Sequence, residues 1–424
     1  MYRIVTLSVV FLMGLVNAVR AEDFALRDGD TVVFLGDSIT AARVYSRLVE
    51  NYTLLRFPNR RIHFINAGIG GDTAAGGLAR IDRDVFANKA TVLLVAYGIN
   101  DIGWGTRGDA EHKQRYLDSI SEIVRRSKER GVRVYICSAA ITGHDPAKTE
   151  NDFLQTMCEE GMAIARKQGE HYIDVQRTMR EILKRVWVSN ESIKDPTKKE
   201  SMHTSDAVHL NDLGQTAMAF AILKGLGAPA EVSSVTIDAN TRKLVTSNGC
   251  KITDIAGTPQ KIEFTRLDEG LPLNAQTFFA LHFRFVPIHT ELNQYLVQIN
   301  SLSPGSYDIV VDGNKIANYS ADDLAKGVNV SSSTIDPWQP GGPWDAQANI
   351  LHALTESRDR LESSISAPMI AVTEKAGFPQ QFRSEVLKAN TQLEEIQRLA
   401  AKPHPYHFVI QRSDSAKTPK IGTN

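Results

Sequence analysis

The first half of the chain predicts an α/β fold with a parallel sheet. Between Asp30 and about Leu226, short apolar runs alternate with longer amphipathic stretches. The strand candidates are 31–35, 61–66, 91–97, 132–138 and 171–175. Continuous apolar runs are typical of parallel strands that are covered on both faces. Their alternation with helix-like intervals predicts a doubly wound domain of about 200 residues.

The intervals between these strands carry helical periodicity. The predicted helices are 44–55, 73–86, 111–130, 150–167 and 175–186. A last helix begins in the segment NDLG at 211–214 and runs to Leu223, with Asn211 or Asp212 as its N-cap because both side chains can accept from free backbone N–H groups.

The pattern changes after the GAP triplet at 227–229. β-type alternation with turn signals follows, including SPGS at 303–306, and DGN at 312–314 predicts a hairpin between 307–311 and 315–319. The predicted units are a signal peptide (1–21), the α/β domain (24–227), a β-rich accessory region (232–330), a linker (331–344), a helical segment (345–402) and a disordered tail (413–424).

The N-terminus predicts export. Arg3 supplies a positive charge, residues 4–16 are almost wholly apolar, and small residues lead to a cleavage site after Ala21. The apolar stretch is shorter than the roughly 20 residues that span a membrane. We therefore expect a secreted or periplasmic protein with no stable membrane insertion after cleavage; an uncleaved N-terminal anchor is the alternative.

Composition excludes several classes of partner and cofactor. The 424 residues carry a net charge of −1 and contain no basic block, which argues against nucleic acid as a partner. Three cysteines allow at most one disulfide, and neither a Cys-x-x-Cys nor a His-Glu-x-x-His spacing is present. No metal site is predicted.

A serine and a distant histidine supply the parts of a nucleophile. Ser38 lies in GDSI (36–39), where the first predicted strand breaks into a turn, and a serine hydroxyl needs a base within about 3 Å to react. His209 is the candidate base, and Asp206 can orient its imidazole and stabilise the charged form. The structural alternatives are a simple glycine turn at Ser38 and a surface histidine beside a turn-capping Asp206.

Two further segments can stabilise an oxyanion. Gly71 lets a backbone N–H approach a ligand, Asn100 can donate from its side chain, and the Ser38 N–H can add a third donor. All three follow predicted parallel strands at the edge where such sheets bind ligands. A tight turn at Gly71 and a helix cap at Asn100 are the structural alternatives. Trp104, four residues further on, can line a substrate pocket or simply pack.

These segments together resemble the four sequence blocks of the SGNH hydrolases, the GDSL-type lipase and esterase superfamily. The matching blocks are GDS at 36–38, GGDT at 70–73, GIND at 98–101, and DAVH at 206–209 followed by NDLG. The resemblance implies a flavodoxin-like three-layer α/β/α fold, a Ser38–His209–Asp206 triad, an oxyanion hole from Ser38, Gly71 and Asn100, and no cofactor. It covers Asp30 to about Leu226. The second half resembles only the C-terminal extensions of secreted bacterial members.

The resemblance and the export signal together predict a serine esterase that acts through an acyl-enzyme. Its expected substrate is a small-molecule or carbohydrate ester with a short acyl group such as acetyl. Two alternatives stay open: a lipase-like or lysophospholipase-like hydrolase of longer acyl chains, and a non-catalytic carbohydrate-binding or surface protein that keeps the scaffold. Asp37 and Asp72 are expected to bond the backbone amides of their own loops.

Overall fold

A computed structural model describes residues 24–275, 279–365 and 380–413, together with residues 372 and 375. The predicted signal peptide and residues 414–424 of the predicted tail lie outside the described residues. Within the described part of the chain, no helix combines the length and the apolar character that crossing a membrane requires.

The first half forms one five-stranded parallel sheet. Its strands are β1 (Thr31–Gly36), β2 (His63–Gly68), β3 (Val92–Ala96), β4 (Arg133–Cys137) and β5 (His171–Ile173), in the spatial order β2-β1-β3-β4-β5. The interiors of β1, β3 and β4 are buried, which explains why they are apolar throughout. The predicted α/β class is confirmed.

Two packed groups of helices flank this sheet. The helices are α1 (Ser38–Ala41), α2 (Val44–Arg56), α3 (Ala74–Ala79), α4 (Ala110–Glu129), α5 (Phe153–Lys167), α6 (Val175–Glu191) and α7 (Asp212–Gly225). Helices α2, α6 and α7 pack together, as do α3, α4 and α5. The Asn211 side chain accepts from Gly214 N, so Asn211 rather than Asp212 caps α7. The predicted helix over 73–86 is divided, because α3 ends at Ala79 and a π-helical turn occupies Asp82–Phe86.

The second half contains two further sheets. The strands are β6 (Glu231–Asp238), β7 (Lys243–Asn248), β8 (Cys250–Thr258), β9 (Lys261–Asp268), β10 (Gln294–Asn300), β11 (Ser306–Val311), β12 (Asn314–Ser320), β13 (Val328–Asn329) and β14 (Tyr406–Arg412). They form the sheets β13-β10-β6-β7 and β12-β11-β14-β9-β8. Strands β11 and β12 pair antiparallel, so the predicted hairpin is confirmed. Short helices α8 (Ile288–Glu291) and α9 (Ala321–Lys326) connect strands.

Two long helices lie between β13 and β14: α10 (Pro343–Ser364) and α11 (Gln380–Ala400). They pack on each other, and α10 also packs on α2. Trp344 belongs to α10 rather than to the predicted linker; it is fully buried, and its indole N–H donates to the Ser331 carbonyl. Burial of this large aromatic ring fixes the start of the helix against the β-rich region.

The buried carboxyl of Asp345, next to Trp344 in α10, makes the stability of the folded chain dependent on pH. Only 4% of the residue is exposed, and its oxygens accept from Asn274 Nδ2 at 3.2 Å and from the Gly341 N–H at 3.4 Å. Burial raises the pKa of Asp345 to about 7. The folded chain therefore holds a proton that the unfolded chain releases near pH 4, so the stabilisation is present below about pH 4 and is lost as the pH rises through about 7.

Between pH 5 and pH 8 the parent protein should lose a few kcal/mol of unfolding free energy through this carboxyl, at about 1.4 kcal/mol for each unit of pKa shift. We expect Asp345→Asn, whose side chain does not titrate, to lose that much less. Denaturant unfolding at the two pH values measures this. Asp322→Asn, which changes an exposed carboxylate at the start of α9, serves as the matched control. An Asp345→Asn protein with the same pH dependence as the parent would show that this carboxyl is ionised in the folded state.

Candidate active site

The topology of the parallel sheet brings three loops together at one edge. Strand β1 lies between β2 and β3, and Ser38, Gly71 and Asn100 each follow the carboxyl end of one of these strands. Neighbouring parallel strands end at the same edge of a sheet. The order β2-β1-β3 therefore makes the nucleophile, glycine and asparagine loops adjacent.

The turn that carries Ser38 is tightly packed. A Cβ at Gly36 would lie 2.2 Å from Thr40 Oγ1 and 2.8 Å from the Ala96 carbonyl oxygen, so only glycine fits here. Asp37 caps α1 by accepting from the Ile39 N–H at 3.0 Å, as predicted. Burial raises the pKa of Asp37 to about 6. Ser38 is the first residue of α1 and is half-buried.

Ser38, His209 and Asp206 form a continuous chain of hydrogen bonds. Ser38 Oγ lies 2.9 Å from His209 Nε2, although 171 residues separate them in sequence. His209 Nδ1 lies 2.6 Å from Asp206 Oδ2. A carboxylate facing Nδ1 favours the tautomer that carries its proton there, which leaves Nε2 free to accept from the serine hydroxyl.

The Asp-x-x-His spacing is closed into a turn by the aspartate itself. Asp206 Oδ1 accepts from the backbone N–H groups of Val208 and His209, both at 2.9 Å, and from the Thr204 hydroxyl. Ala207, between the two site residues, has a left-handed backbone with φ of 58°. The hydrogen bond from His209 and these backbone donors hold the pKa of Asp206 well below its usual range. The carboxylate therefore stays charged at neutral pH.

The asparagine loop is hydrogen-bonded to the glycine loop. Gly71 has φ of +74°, and a Cβ built there would meet nothing within 4 Å, so conformation rather than space requires glycine. Asn100 Nδ2 donates to the carbonyl of Asp72, the residue after Gly71, at 3.0 Å. This bond uses one amide hydrogen and leaves the other for an acceptor. The roles of Ser38, Gly71 and Asn100 in an oxyanion hole stay predictions.

Sequence comparisons identify the domain that carries these residues. The GDSL-like Lipase/Acylhydrolase family matches residues 34–217. The chain carries a GDSL-like hydrolase domain. The resemblance inferred from the four blocks is thereby confirmed, and the domain is that of a serine ester hydrolase.

Two curated proteins are similar to parts of this chain. The acetylxylan esterase of Geobacillus stearothermophilus is 25% identical over 225 residues, which cover 47% of this chain and 94% of that protein. The uncharacterized lipoprotein YqeF of Bacillus subtilis (strain 168) is 28% identical over 127 residues, covering 28% of this chain. The match spans about half of the lipoprotein, 52% of its length.

A solved structure resembles the chain beyond the GDSL-like domain. It is described as a gut microbial diltiazem-metabolizing enzyme, has a TM-score of 0.78 and 24% sequence identity, and covers 92% of this chain and 100% of its own. At this identity the likeness concerns the fold. The fold of the second half is therefore shared with that protein as well.

Arg80 connects the carboxyl ends of three strands beneath the loops of the GDSL-like domain. Its guanidinium donates to the carbonyls of Gly36 and Ala67, at 3.3 and 2.7 Å, and to the Tyr97 hydroxyl at 2.8 Å. It also pairs with Asp72 at 2.8 Å. These residues end or follow β1, β2 and β3, so one cation ties together the backbone that carries the site.

The carboxylate of Asp72 differs from its prediction. It accepts from Arg80 and from the Tyr97 hydroxyl rather than from the amides of its own loop. The neighbouring Ala74 N–H is instead accepted by Asp101 Oδ1 at 3.0 Å. An arginine eight residues after Asp72, on a stretch with helical periodicity, carries no sequence signal that would have revealed this pairing.

Trp104 lies beside the candidate catalytic residue His209. Its ring meets the His209 ring edge-on, with centroids 5.4 Å apart, and half of the residue is exposed. Its predicted place at a substrate pocket stays a prediction. Among residues 24–275, 279–365 and 380–413, no cluster of three His, Cys, Asp or Glu side chains could hold a metal ion.

Proposed function

We propose that the protein is a secreted or periplasmic esterase that releases short acyl groups, above all acetyl, from carbohydrate esters. The observation that carries the proposal is the hydrogen-bonded series from Ser38 through His209 to Asp206. The similarity to an acetylxylan esterase over most of that protein's length supports an acetylated carbohydrate as the substrate. The predicted signal peptide supports export, which fractionation of expressing cells tests directly.

In the first half of the reaction, Ser38 Oγ attacks the ester carbonyl while His209 Nε2 removes its proton. Asp206 stabilises the imidazolium that forms. The negative charge on the carbonyl oxygen is held by the N–H groups of Ser38 and Gly71 and by the Asn100 amide. When the tetrahedral intermediate collapses, the C–O bond to the alcohol breaks, and His209 returns the proton to the leaving alkoxide.

In the second half, water replaces the alcohol. His209 removes a proton from the water, which attacks the acyl-enzyme carbonyl through an oxyanion held by the same donors. Collapse of this intermediate breaks the bond to Ser38 Oγ, which recovers its proton from His209. The products are the free acid and the regenerated enzyme.

We expect kcat/KM for p-nitrophenyl esters to be highest for acetate and to fall at least about tenfold by the octanoate, because a pocket shaped for a short acyl group excludes a longer one. The corresponding measurement on a carbohydrate substrate is the acetate released from acetylated xylo-oligosaccharides. Activity that peaks at eight carbons or longer would contradict the acetyl proposal and favour a lipase-like or lysophospholipase-like enzyme.

A labelling experiment beside the ester series tests the remaining alternative, a carbohydrate-binding or surface protein without catalysis. A fluorophosphonate probe reacts with an activated serine and leaves an adduct that intact-mass spectrometry detects. We expect one adduct on the wild-type protein. A protein that neither reacts with the probe nor releases acid from any ester of the series would support the non-catalytic alternative.

A further inference from the structure

Trp104 has a backbone conformation that is unusual for a bulky residue. Its φ is 57°, and the glycines on either side, Gly103 and Gly105, also have left-handed backbones with φ of 52° and 89°. Backbone hydrogen bonds close this loop, among them Trp104 N–H to the Ile99 carbonyl at 2.9 Å. Left-handed backbones at large side chains are rare and concentrate at functional sites, where the surroundings hold them in place.

This backbone conformation places the indole N–H of Trp104 within hydrogen-bond distance of Asn100. Trp104 Nε1 donates to Asn100 Oδ1 at 2.9 Å, while Asn100 Nδ2 donates to the Asp72 carbonyl at 3.0 Å. The indole nitrogen is only a donor and the carbonyl only an acceptor. A flipped amide would place two donors together and two acceptors together, so these bonds define a single orientation of the Asn100 amide.

The same ring also limits the position of His209. The two rings meet at an interplanar angle of 75°, with the edge of one against the face of the other. Trp104 is 50% exposed, so burial of apolar area does not account for a strained tryptophan at this position. The contacts that distinguish Trp104 are with Asn100 and His209, both members of the candidate site.

We propose that Trp104 is a positioning residue that presets the Asn100 amide for the oxyanion and restricts the His209 ring. This inference rests on the proposed ester hydrolysis. It assigns Trp104 an effect on the transition state, because the Asn100 amide meets a full negative charge only there. A tryptophan that merely lined the substrate pocket would act on substrate and transition state alike.

The test uses the full-length protein and Trp104→Phe, which keeps an aromatic ring but removes the indole N–H. We expect kcat for p-nitrophenyl acetate to fall by about 10-fold to 30-fold with KM changed less than about twofold, since a misplaced oxyanion donor is felt in the transition state. The affinity for a boronic acid that forms a tetrahedral adduct should weaken by a similar factor. Trp187→Phe, at a tryptophan on α6 that is 43% exposed, is the control.

A double-mutant cycle shows whether the effect runs through Asn100. In an Asn100→Ala protein, adding Trp104→Phe should change kcat by less than about threefold, because the amide that the indole positions is already absent. A further tenfold loss in that background, an unchanged kcat in the single variant, or a raised KM at constant kcat would each overturn the inference. A wild-type protein that hydrolyses no ester would overturn both the proposed function and this inference.

Discussion

Replacing Ser38 with alanine is expected to lower kcat for ester hydrolysis by about 10⁵-fold or more, because the covalent route through the acyl-enzyme is lost entirely. His209 then has no hydroxyl to deprotonate, although the oxyanion donors and the substrate contacts remain. The fold should be unaffected, with an unfolding free energy within about 1 kcal/mol of the parent. The half-buried Ser38 hydroxyl bonds to His209, whose ring stays in contact with Asp206.

The measurement combines turnover of p-nitrophenyl acetate with labelling by a fluorophosphonate. Ser192→Ala is the matched control, because Ser192 is an exposed serine at the end of α6 that bonds only locally to the Ser189 carbonyl. We expect the control to react fully and Ser38→Ala to gain no adduct. Turnover by Ser38→Ala within a few-fold of the parent would remove Ser38 from the mechanism.

The sheet of the catalytic half could be predicted from sequence because both of its faces are covered. The run 31–35 is apolar at every position after Thr31, and the observed strand β1 ends only one residue later, at Gly36. The polar residues that follow each strand then fall at one edge of the sheet by geometry alone. The prediction of the site depended on this edge and on the family resemblance, not on any single segment.

Features that depend on distant pairing were not predictable in the same way. Strand β14 forms at residues 406–412, which the sequence analysis left unassigned, and it inserts between β9 and β11. Its buried residues Tyr406, Phe408 and Ile410 alternate along the strand, a pattern that the sequence analysis did not use. The sequence could not show that β9 and β11, both distant along the chain, are its partners. Arg80 and Asp72 pose the same problem, because a pairing of side chains beneath a sheet edge leaves no local pattern.

The role of the second half was open in the sequence, and the structure shows what it contacts. Arg358 on α10 is buried and donates to Glu50 on α2 at 2.6 Å and to Glu394 on α11 at 2.8 Å. Asp359 and Glu362, one and four residues further along α10, accept from Arg43, the residue that precedes α2. The helical segment is thus joined by buried charges to α2, the helix that follows α1 and its Ser38.

Arg43 extends this connection to the neighbouring loop. It has a left-handed backbone, with φ of 63°, and its guanidinium also donates to the Asn66 carbonyl at 3.3 Å. The Asn66 side chain in turn donates to the carbonyl of Thr40 in α1. Removing one partner from a buried charge network is strongly destabilising, because the remaining charge is left without compensation. The second half therefore supports the backbone that presents Ser38 in addition to any contact it makes with substrate.

Replacing Asp206 with asparagine is expected to lower kcat by about 10³-fold to 10⁴-fold while keeping the turn that it closes. The amide oxygen can still accept from the Val208 and His209 N–H groups, so the loop should persist. The amide nitrogen, however, is a donor where Asp206 Oδ2 now accepts from His209 Nδ1. The imidazole is then driven to carry its proton on Nε2, and it can no longer accept the proton of Ser38.

The matched variant Asp206→Ala separates orientation of the histidine from the structure of the loop. It removes the acceptor of both backbone N–H groups, so its melting temperature should fall below that of Asp206→Asn, whereas both variants should lose activity.

In the wild-type protein the pKa of Asp206 lies well below its usual range, so this carboxylate should add no inflection to the rate above about pH 5. The stability that its hydrogen bonds contribute is present above the unfolded pKa and is lost only in stronger acid. Kinetics of both variants from pH 5 to 9, with melting curves in the same buffers, measure these effects. An Asp206→Asn protein that keeps its turn and reacts within tenfold of the parent would show that His209 is oriented without this carboxylate.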